Sequence, residues 1–160
     1  MAAVDYFLKI TGIDGEAQDK THKNEIHLES FSWGAANVGS ASTGGGMGSG
    51  KVKFQDFHFV MATNKASPKL MLACAKGEHI ASAILTCRKA GGTEQVEYLK
   101  YTFTDLLISS FQIGGTEIIP TEEISFNCTQ VQMDYKEQKA DGTLSGAIST
   151  KYNLKTQSSA

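Results

Sequence analysis

A glycine-rich stretch that ends in a lysine is the segment of the chain that most resembles a binding site, in this case one for phosphate. From Gly45 it reads Gly-Gly-Met-Gly-Ser-Gly-Lys-Val, one residue short of the phosphate-binding pattern G-x-x-x-x-G-K-[ST]. Val52 stands where that pattern needs a hydroxyl to bind Mg²⁺. The alternating residues after Lys51 predict a strand, whereas a phosphate-binding loop opens a helix. We interpret the stretch as a loop and expect neither a nucleotide nor any other cofactor.

The histidines and cysteines match no metal-binding or nucleophilic motif. The chain has neither H-E-x-x-H nor C-x-x-C. The histidines are expected to be packed or solvated, and the cysteines to be reduced thiols on apolar faces, where thiolates are disfavoured. The acidic pairs Asp14–Glu16 and Glu122–Glu123 are expected at turns, as solvated carboxylates. No metal site and no enzyme activity is predicted. The residues in question are His22, His27, His58, His79, Cys74, Cys87 and Cys128.

Length and charge limit the class of protein. A chain of 160 residues predicts a single domain over residues 1–160, which buries roughly 68–70% of its unfolded surface without staples. A net charge of −2 offers no basic surface, so nucleic acid is not an expected partner. The N-terminal "MAAVDYFLKI" carries Asp5 and Lys9 in its apolar run, unlike a signal peptide or membrane span. We expect synthesis in the cytoplasm, no conventional export and no membrane insertion.

Alternation of apolar and polar residues dominates the chain and predicts half-buried strands. In "EIHLESFSWG" the apolar face changes from Ile26 and Leu28 to Phe31 and Trp33. This change predicts a bulge or a strand shared between two sheets. The residues 90–92, Ala-Gly-Gly, predict a hairpin turn. Near the C-terminus, "QKADGTLSGAIST" is interpreted as a turn-rich loop and "KYNLKT" as a final strand.

One helix is predicted, at about residues 67–76. Ser67 is its expected N-cap, Pro68 its first residue and Gly77 its terminator. The expected buried stripe consists of Leu70, Met71, Cys74 and Ala75. The fold class is therefore mainly β, with one short helix beside a closed or nearly closed barrel. Several strands carry apolar residues on both faces, such as the one predicted to have Phe54 on one face and Phe57 and Phe59 on the other. This indicates burial against the helix or against other subunits.

Five segments resemble the haemolysin-coregulated proteins (Hcp), the tube subunits of bacterial type VI secretion systems. They are "FSWG", "GKVKFQDFHFV", "SPKLMLACAKGEH", "CRKAGGTEQVEYL" and "VQMDYKEQKADG", in the order and spacing of that family. The resemblance extends from "VDYFLKI" almost to the C-terminus. It implies a β-barrel of two sheets with a short flanking helix and an extended loop.

The resemblance also implies an assembly. Identical subunits would form a hexameric ring, and stacked rings would form a tube with a spike protein at its tip and a contractile sheath around it. The lumen would hold small effector proteins and protect them before delivery. The chain would leave the cytoplasm without a signal peptide, for the extracellular space or a target cell. Because it ends at Ala160 without a toxin domain, it resembles a plain tube subunit.

Two candidate sites are implied by the resemblance. Ser32 matches the family's lumen-facing serine, which is associated with effector contact, and Phe31 and Trp33 would then point into the barrel. Ser32 also fits a simple polar position in an alternating strand. The stretch 40–50 matches the family's extended loop, and its expected contacts with neighbouring subunits and rings are made by Gly44, Gly45, Gly46, Met47, Gly48, Ser49 and Gly50.

The function predicted from the sequence is that of a structural, non-enzymatic tube subunit that also chaperones effectors. The alternative is a monomeric β-barrel that binds a small ligand or peptide.

Overall fold

A computed structural model describes residues 4–37 and 51–159 and consists mainly of antiparallel strands. The helix α1 spans Ser67–Lys76. The strands are β1 (Val4–Ile10), β2 (Ile26–Leu28), β3 (Ser30–Ser32), β4 (Ala35–Asn37), β5 (Val52–Phe54), β6 (Phe57–Ala62), β7 (His79–Ala90), β8 (Gln95–Gly114), β9 (Thr121–Gln138) and β10 (Leu144–Asn153).

The main sheet curls until its two ends meet. Its strand order is β2-β1-β7-β8-β9-β6-β3, with β10 also paired to β9 and with β4 and β5 in a separate hairpin. Only Glu29 separates β2 from β3, and its backbone N–H donates to the carbonyl of Val60 at 2.8 Å. One short stretch of chain thus borders both ends of the sheet and makes the barrel nearly closed. The change of apolar face predicted a bulge or a strand shared between two sheets. The structure instead has this stretch at both ends of one sheet, because β2 pairs with β1 and β3 pairs with β6.

Four phenylalanines form the centre of the core. Phe57 is 1% exposed, and its ring centroid lies 4.9 Å from those of both Phe103 and Phe126. Phe59, on the same face of β6, is fully buried and 6.1 Å from Phe57. Such aromatic pairs contribute about 0.5–1.5 kcal/mol each beyond the area that they bury.

The helix lies where the sequence predicted it, but two of its details differ. It ends at Gly77, whose φ of 64° is the left-handed conformation that glycine adopts without strain. The N-cap position is Ala66, whose methyl group cannot cap the helix. Ser67, the expected N-cap, is the first helical residue, so Pro68 is the second, and the Ser67 hydroxyl donates to Glu122. Leu70 is buried and Cys74 half-buried, yet Met71 is 54% exposed and Ala75 is exposed, so both were wrongly assigned to the buried stripe, and Ala73 is buried instead.

The C-terminal strand is longer than predicted. The stretch that was interpreted as a loop contains a turn at residues 139–143, after which β10 begins at Leu144 and pairs with β9. The expected hairpin turn at residues 90–92 is confirmed, since β7 ends at Ala90 and pairs with β8. The hairpins β7–β8 and β9–β10 together give the barrel an extended wall of four strands.

Candidate functional site

Ser32 lies on the outer face of the barrel. It is exposed on β3, opposite the exposed His58 on β6. Its neighbours point the other way: the Phe31 ring packs 5.0 Å from that of Tyr6, and the Trp33 ring packs 5.2 Å from that of Phe54. The structure thus has the alternation expected at this stretch, with a short hydroxyl outside and aromatic rings inside.

Ser32 belongs to a row of small polar residues across four strands. The pairing of β3, β6, β9 and β8 aligns Ser32, His58, Ser125 and Ser110, which we call the serine band. The Ser125 hydroxyl lies 2.6 Å from that of Ser110 and 2.8 Å from that of Ser109. Within the described residues, His58 makes no hydrogen bond to a serine, so the band holds no Ser–His nucleophile in this arrangement. The band itself can donate and accept hydrogen bonds, and beside it the Asp56 carboxylate accepts from the Ser109 hydroxyl at 2.6 Å.

The predicted contact residues Gly44–Gly50 lie outside the described residues. On either side of them, Asn37 of β4 stands opposite Val52 of β5. Lys51 is exposed, and β5 begins at the next residue. The strand predicted after the lysine is therefore confirmed, whereas a phosphate-binding loop needs a helix at that position.

His22 is packed inside an ionic cluster. It is 6% exposed, its Nδ1 lies 2.8 Å from Glu25 Oε2, and its Nε2 lies 2.5 Å from Glu97 Oε1. Its ring stacks on that of Phe7 at 4.7 Å. The other three histidines are exposed, so the expectation of packed or solvated histidines is confirmed. Among residues 4–37 and 51–159, no group of three or more His, Cys, Asp or Glu side chains is arranged to hold a metal ion.

The cysteines are free thiols in apolar surroundings. Cys87 and Cys128 are buried, and Cys74 is half-buried. Burial raises the pKa of Cys87 to about 11 and that of Cys128 to about 12. Both thiols therefore stay protonated at neutral pH and are poor nucleophiles, as the sequence predicted.

Glu122 is not the solvated carboxylate that the sequence predicted. It is fully buried on β9, whereas Glu123 is exposed, because successive residues of a strand face opposite sides. Its Oε2 accepts a hydrogen bond of 2.7 Å from the Ser67 hydroxyl. Its Oε1 has no hydrogen-bond partner among the described residues. The contact joins the first turn of α1 to the sheet.

An arginine cluster, which sequence reasoning missed, fixes the connection between β1 and β2. The Arg88 guanidinium donates to Asp19 Oδ2 at 2.8 Å and to Asp5 Oδ2 at 3.1 Å. It also lies over the Phe7 ring, with Cζ 4.7 Å from the centroid. These residues border a surface cavity of about 610 Å³. The cluster joins residues that are far apart in the sequence, so no local motif could have predicted it.

We expect the arginine cluster to lose its stabilising effect in acid. The hydrogen bond from Arg88 lowers the pKa of Asp19 from 3.8 to about 2. Because the folded protein holds this carboxyl in its charged form, the contribution is complete above pH about 4 and is lost as pH falls through about 2. Chemical denaturation between pH 7 and pH 2 should show a shallower acid decline for Asp19→Asn than for the unchanged protein. Identical pH dependence in the two proteins would contradict the assignment.

Among the described residues, no helix is both long and apolar enough to cross a membrane.

Comparison with known proteins gives consistent matches along the chain. Residues 7–135 match the family described as "Type VI secretion system effector, Hcp". Protein hcp1 of Pseudomonas aeruginosa is 49% identical over 146 residues, which are 90% of each chain. The crystal structure of Hcp1 from Salmonella typhimurium is similar with a TM-score of 0.81 and 35% identity, over 99% of this chain and 100% of that one. A structure of a type six secretion system protein gives a TM-score of 0.91 and 28% identity, over 98% and 99%.

Proposed function

The chain belongs to the Hcp family of type VI secretion proteins, and from that premise we propose that it is the subunit of a secretion tube that carries effectors. Six copies form a ring, rings stack into a tube, and the tube meets a spike protein at its tip and a contractile sheath outside. The protein is secreted, and we propose that it leaves the cell without a signal peptide. Small effector proteins are held in the lumen of the ring.

The observation that carries this proposal is the serine band. A channel wall that holds different proteins and releases them needs hydrogen-bonding groups without fixed charge or large apolar area. On the face opposite the aromatic core, the band presents the exposed Ser32 and His58 and the half-buried Ser110, while Ser125 is 2% exposed and bonded to neighbouring serine hydroxyls. Ser32 lies at one end of the band and is its proposed point of effector contact.

Large exposed apolar side chains support assembly of several copies. Single exposed apolar residues are ordinary, whereas neighbouring ones can mark a contact with another molecule. Two pairs are neighbours in the sequence: Met71 with Leu72 on α1, and Ile118 with Ile119 in the turn between β8 and β9. Among the described residues, the large exposed apolar side chains are Val4, Met71, Leu72, Ile113, Ile118, Ile119, Tyr135 and Ile148.

Size-exclusion chromatography with light scattering tests the ring. We expect a mass of six subunits at micromolar concentration, and a stable monomer would instead favour a barrel that binds a small ligand or peptide. Secretion is tested separately in culture: the protein should reach the supernatant only when the contractile apparatus is intact. Equal release from cells without the sheath would contradict the role in the tube.

Ser32→Glu tests the proposed effector contact. Because Ser32 is exposed on the outer face, the variant should fold and form rings normally. A carboxylate in the wall should change which effectors co-purify with the ring, which quantitative mass spectrometry of the bound proteins measures. Ser159→Glu, at an exposed position near the C-terminus, is the matched control. Loss of folding would show that Ser32 is a core position, and an unchanged set of effectors would remove it from the contact surface.

A further inference from the structure

An apolar cavity of about 150 Å³ opens beside the only tryptophan of the chain. Four aromatic rings border it. The ring centroid of Trp33 lies 5.8 Å from that of Tyr101 and 5.2 Å from that of Phe54, and the centroid of Phe54 lies 6.1 Å from that of Tyr152. The Tyr101 hydroxyl donates to the thioether sulfur of Met133 at 3.3 Å, a weak acceptor. The lining is thus suited to an uncharged hydrocarbon group.

The size of the cavity limits what can enter. A cavity of about 150 Å³ can take a group as large as benzene. A branched aliphatic side chain such as that of isoleucine, with four carbons, is smaller than benzene and fits this limit. The cavity, which we call the aromatic hole, is therefore large enough for one aliphatic side chain of a partner.

The chain itself presents such a side chain. Ile118 lies in the turn between β8 and β9 and is 100% exposed. Full exposure of an isoleucine at the tip of a hairpin gains nothing for the isolated subunit. No described residue of its own copy covers it, so only a contact with another molecule can bury this side chain.

The charges beside the two features are opposite. Glu117 precedes Ile118 and is exposed, and Lys151 lines the aromatic hole. Within the described part of the chain, neither side chain forms an ion pair. An isoleucine that entered the hole would bring its neighbouring carboxylate towards the Lys151 ammonium.

We propose that Ile118 of one copy inserts into the aromatic hole of a second copy, with Glu117 beside Lys151. The inference rests on the proposed function, because it needs copies of this chain to assemble. The contact is heterologous: it uses a different surface on each partner, as a closed ring of six copies or head-to-tail stacking of rings requires. The proposal thus names the two surfaces that meet in the assembly: the turn with Ile118 on one copy and the aromatic hole on the other.

Disulfide trapping tests the contact directly. Copies with Ile118→Cys are mixed with copies with Thr150→Cys, a residue of the hole's lining, and a mild oxidant is added. A covalent dimer should form in the mixture and in neither variant alone, since each contact needs one residue of each kind. A mixture of Ile118→Cys copies with Thr93→Cys copies is the control. It contains the same native thiols as the test mixture, but Thr93 does not line the aromatic hole. Absence of the dimer from the mixture overturns the proposal.

The strength of assembly in variants of Ile118, Glu117 and Lys151 supplies a second, independent measurement. Burying one isoleucine side chain corresponds to roughly a 10- to 100-fold change in association, so Ile118→Asp should weaken assembly by that factor. Glu117→Lys and Lys151→Glu should each weaken it, and the double variant should recover it. If Ile118→Asp assembles as the unchanged protein does, this contact is wrong but the proposed ring is not affected. A monomeric unchanged protein overturns both the contact and the proposed function.

Discussion

Replacing Phe57 by alanine is expected to lower the free energy of unfolding by about 3–5 kcal/mol. The ring is 1% exposed, and its centroid lies 5.8 Å from that of Phe31 and 4.9 Å from those of Phe103 and Phe126. Its removal leaves a cavity that the surrounding strands cannot close, because hydrogen bonds hold them in register. Since the free energy of unfolding of small domains is only about 5–15 kcal/mol, this one change would remove a large part of the protein's stability.

Urea denaturation monitored by circular dichroism measures the loss. Phe54→Ala is the matched control: the same side chain is removed from a half-buried position at the barrel's edge. We expect its effect to be clearly smaller. Equal losses at the two positions would mean that Phe57 is not at the centre of the core.

Removing the Ser67 hydroxyl is the second change with a large expected effect. Ser67→Ala leaves both oxygens of the buried Glu122 carboxyl without a hydrogen bond from the described residues. Leaving a buried acceptor unpaired costs about 1–3 kcal/mol, and more if it is charged. The free energy of unfolding should fall by at least this amount, and hydrogen exchange in the first turn of α1 should become faster.

Glu122→Gln separates the hydrogen bond from the charge. The amide oxygen can still accept from Ser67, while the group that could carry a buried charge is gone. We therefore expect a smaller loss of stability than for Ser67→Ala, and almost none for Glu123→Gln at the neighbouring exposed position. If Glu122→Gln proved the more damaging of the two buried changes, the carboxylate would be essential in a way that its single contact does not explain.

The parts of the fold that depend on neighbouring residues were predictable from the sequence. Pro68 fixes a helical φ and Gly77 can adopt the left-handed conformation that ends a helix, and these two residues bracket the helix that the structure contains. Alternation along each strand likewise gives the correct outer face for Ser32. These signals are local, so the tertiary fold cannot easily override them.

The parts that depend on distant partners were not predictable. Arg88 meets Asp19 across 69 positions of the sequence, and Ser67 meets Glu122 across 55. Such contacts exist only once the strand register is known, and a one-residue shift would turn Glu122 outwards. The serine band has the same origin, because its four residues are aligned only by the pairing of four strands.

The single residue between β2 and β3 has a mechanical consequence. The backbone on one side of Glu29 pairs with β1, and the backbone on the other side pairs with β6. Pulling this stretch away would break hydrogen bonds at both ends of the sheet at once, so the barrel has no weak seam at this stretch from which it can unzip strand by strand. We therefore expect the two ends of the sheet to open together at this stretch rather than one at a time.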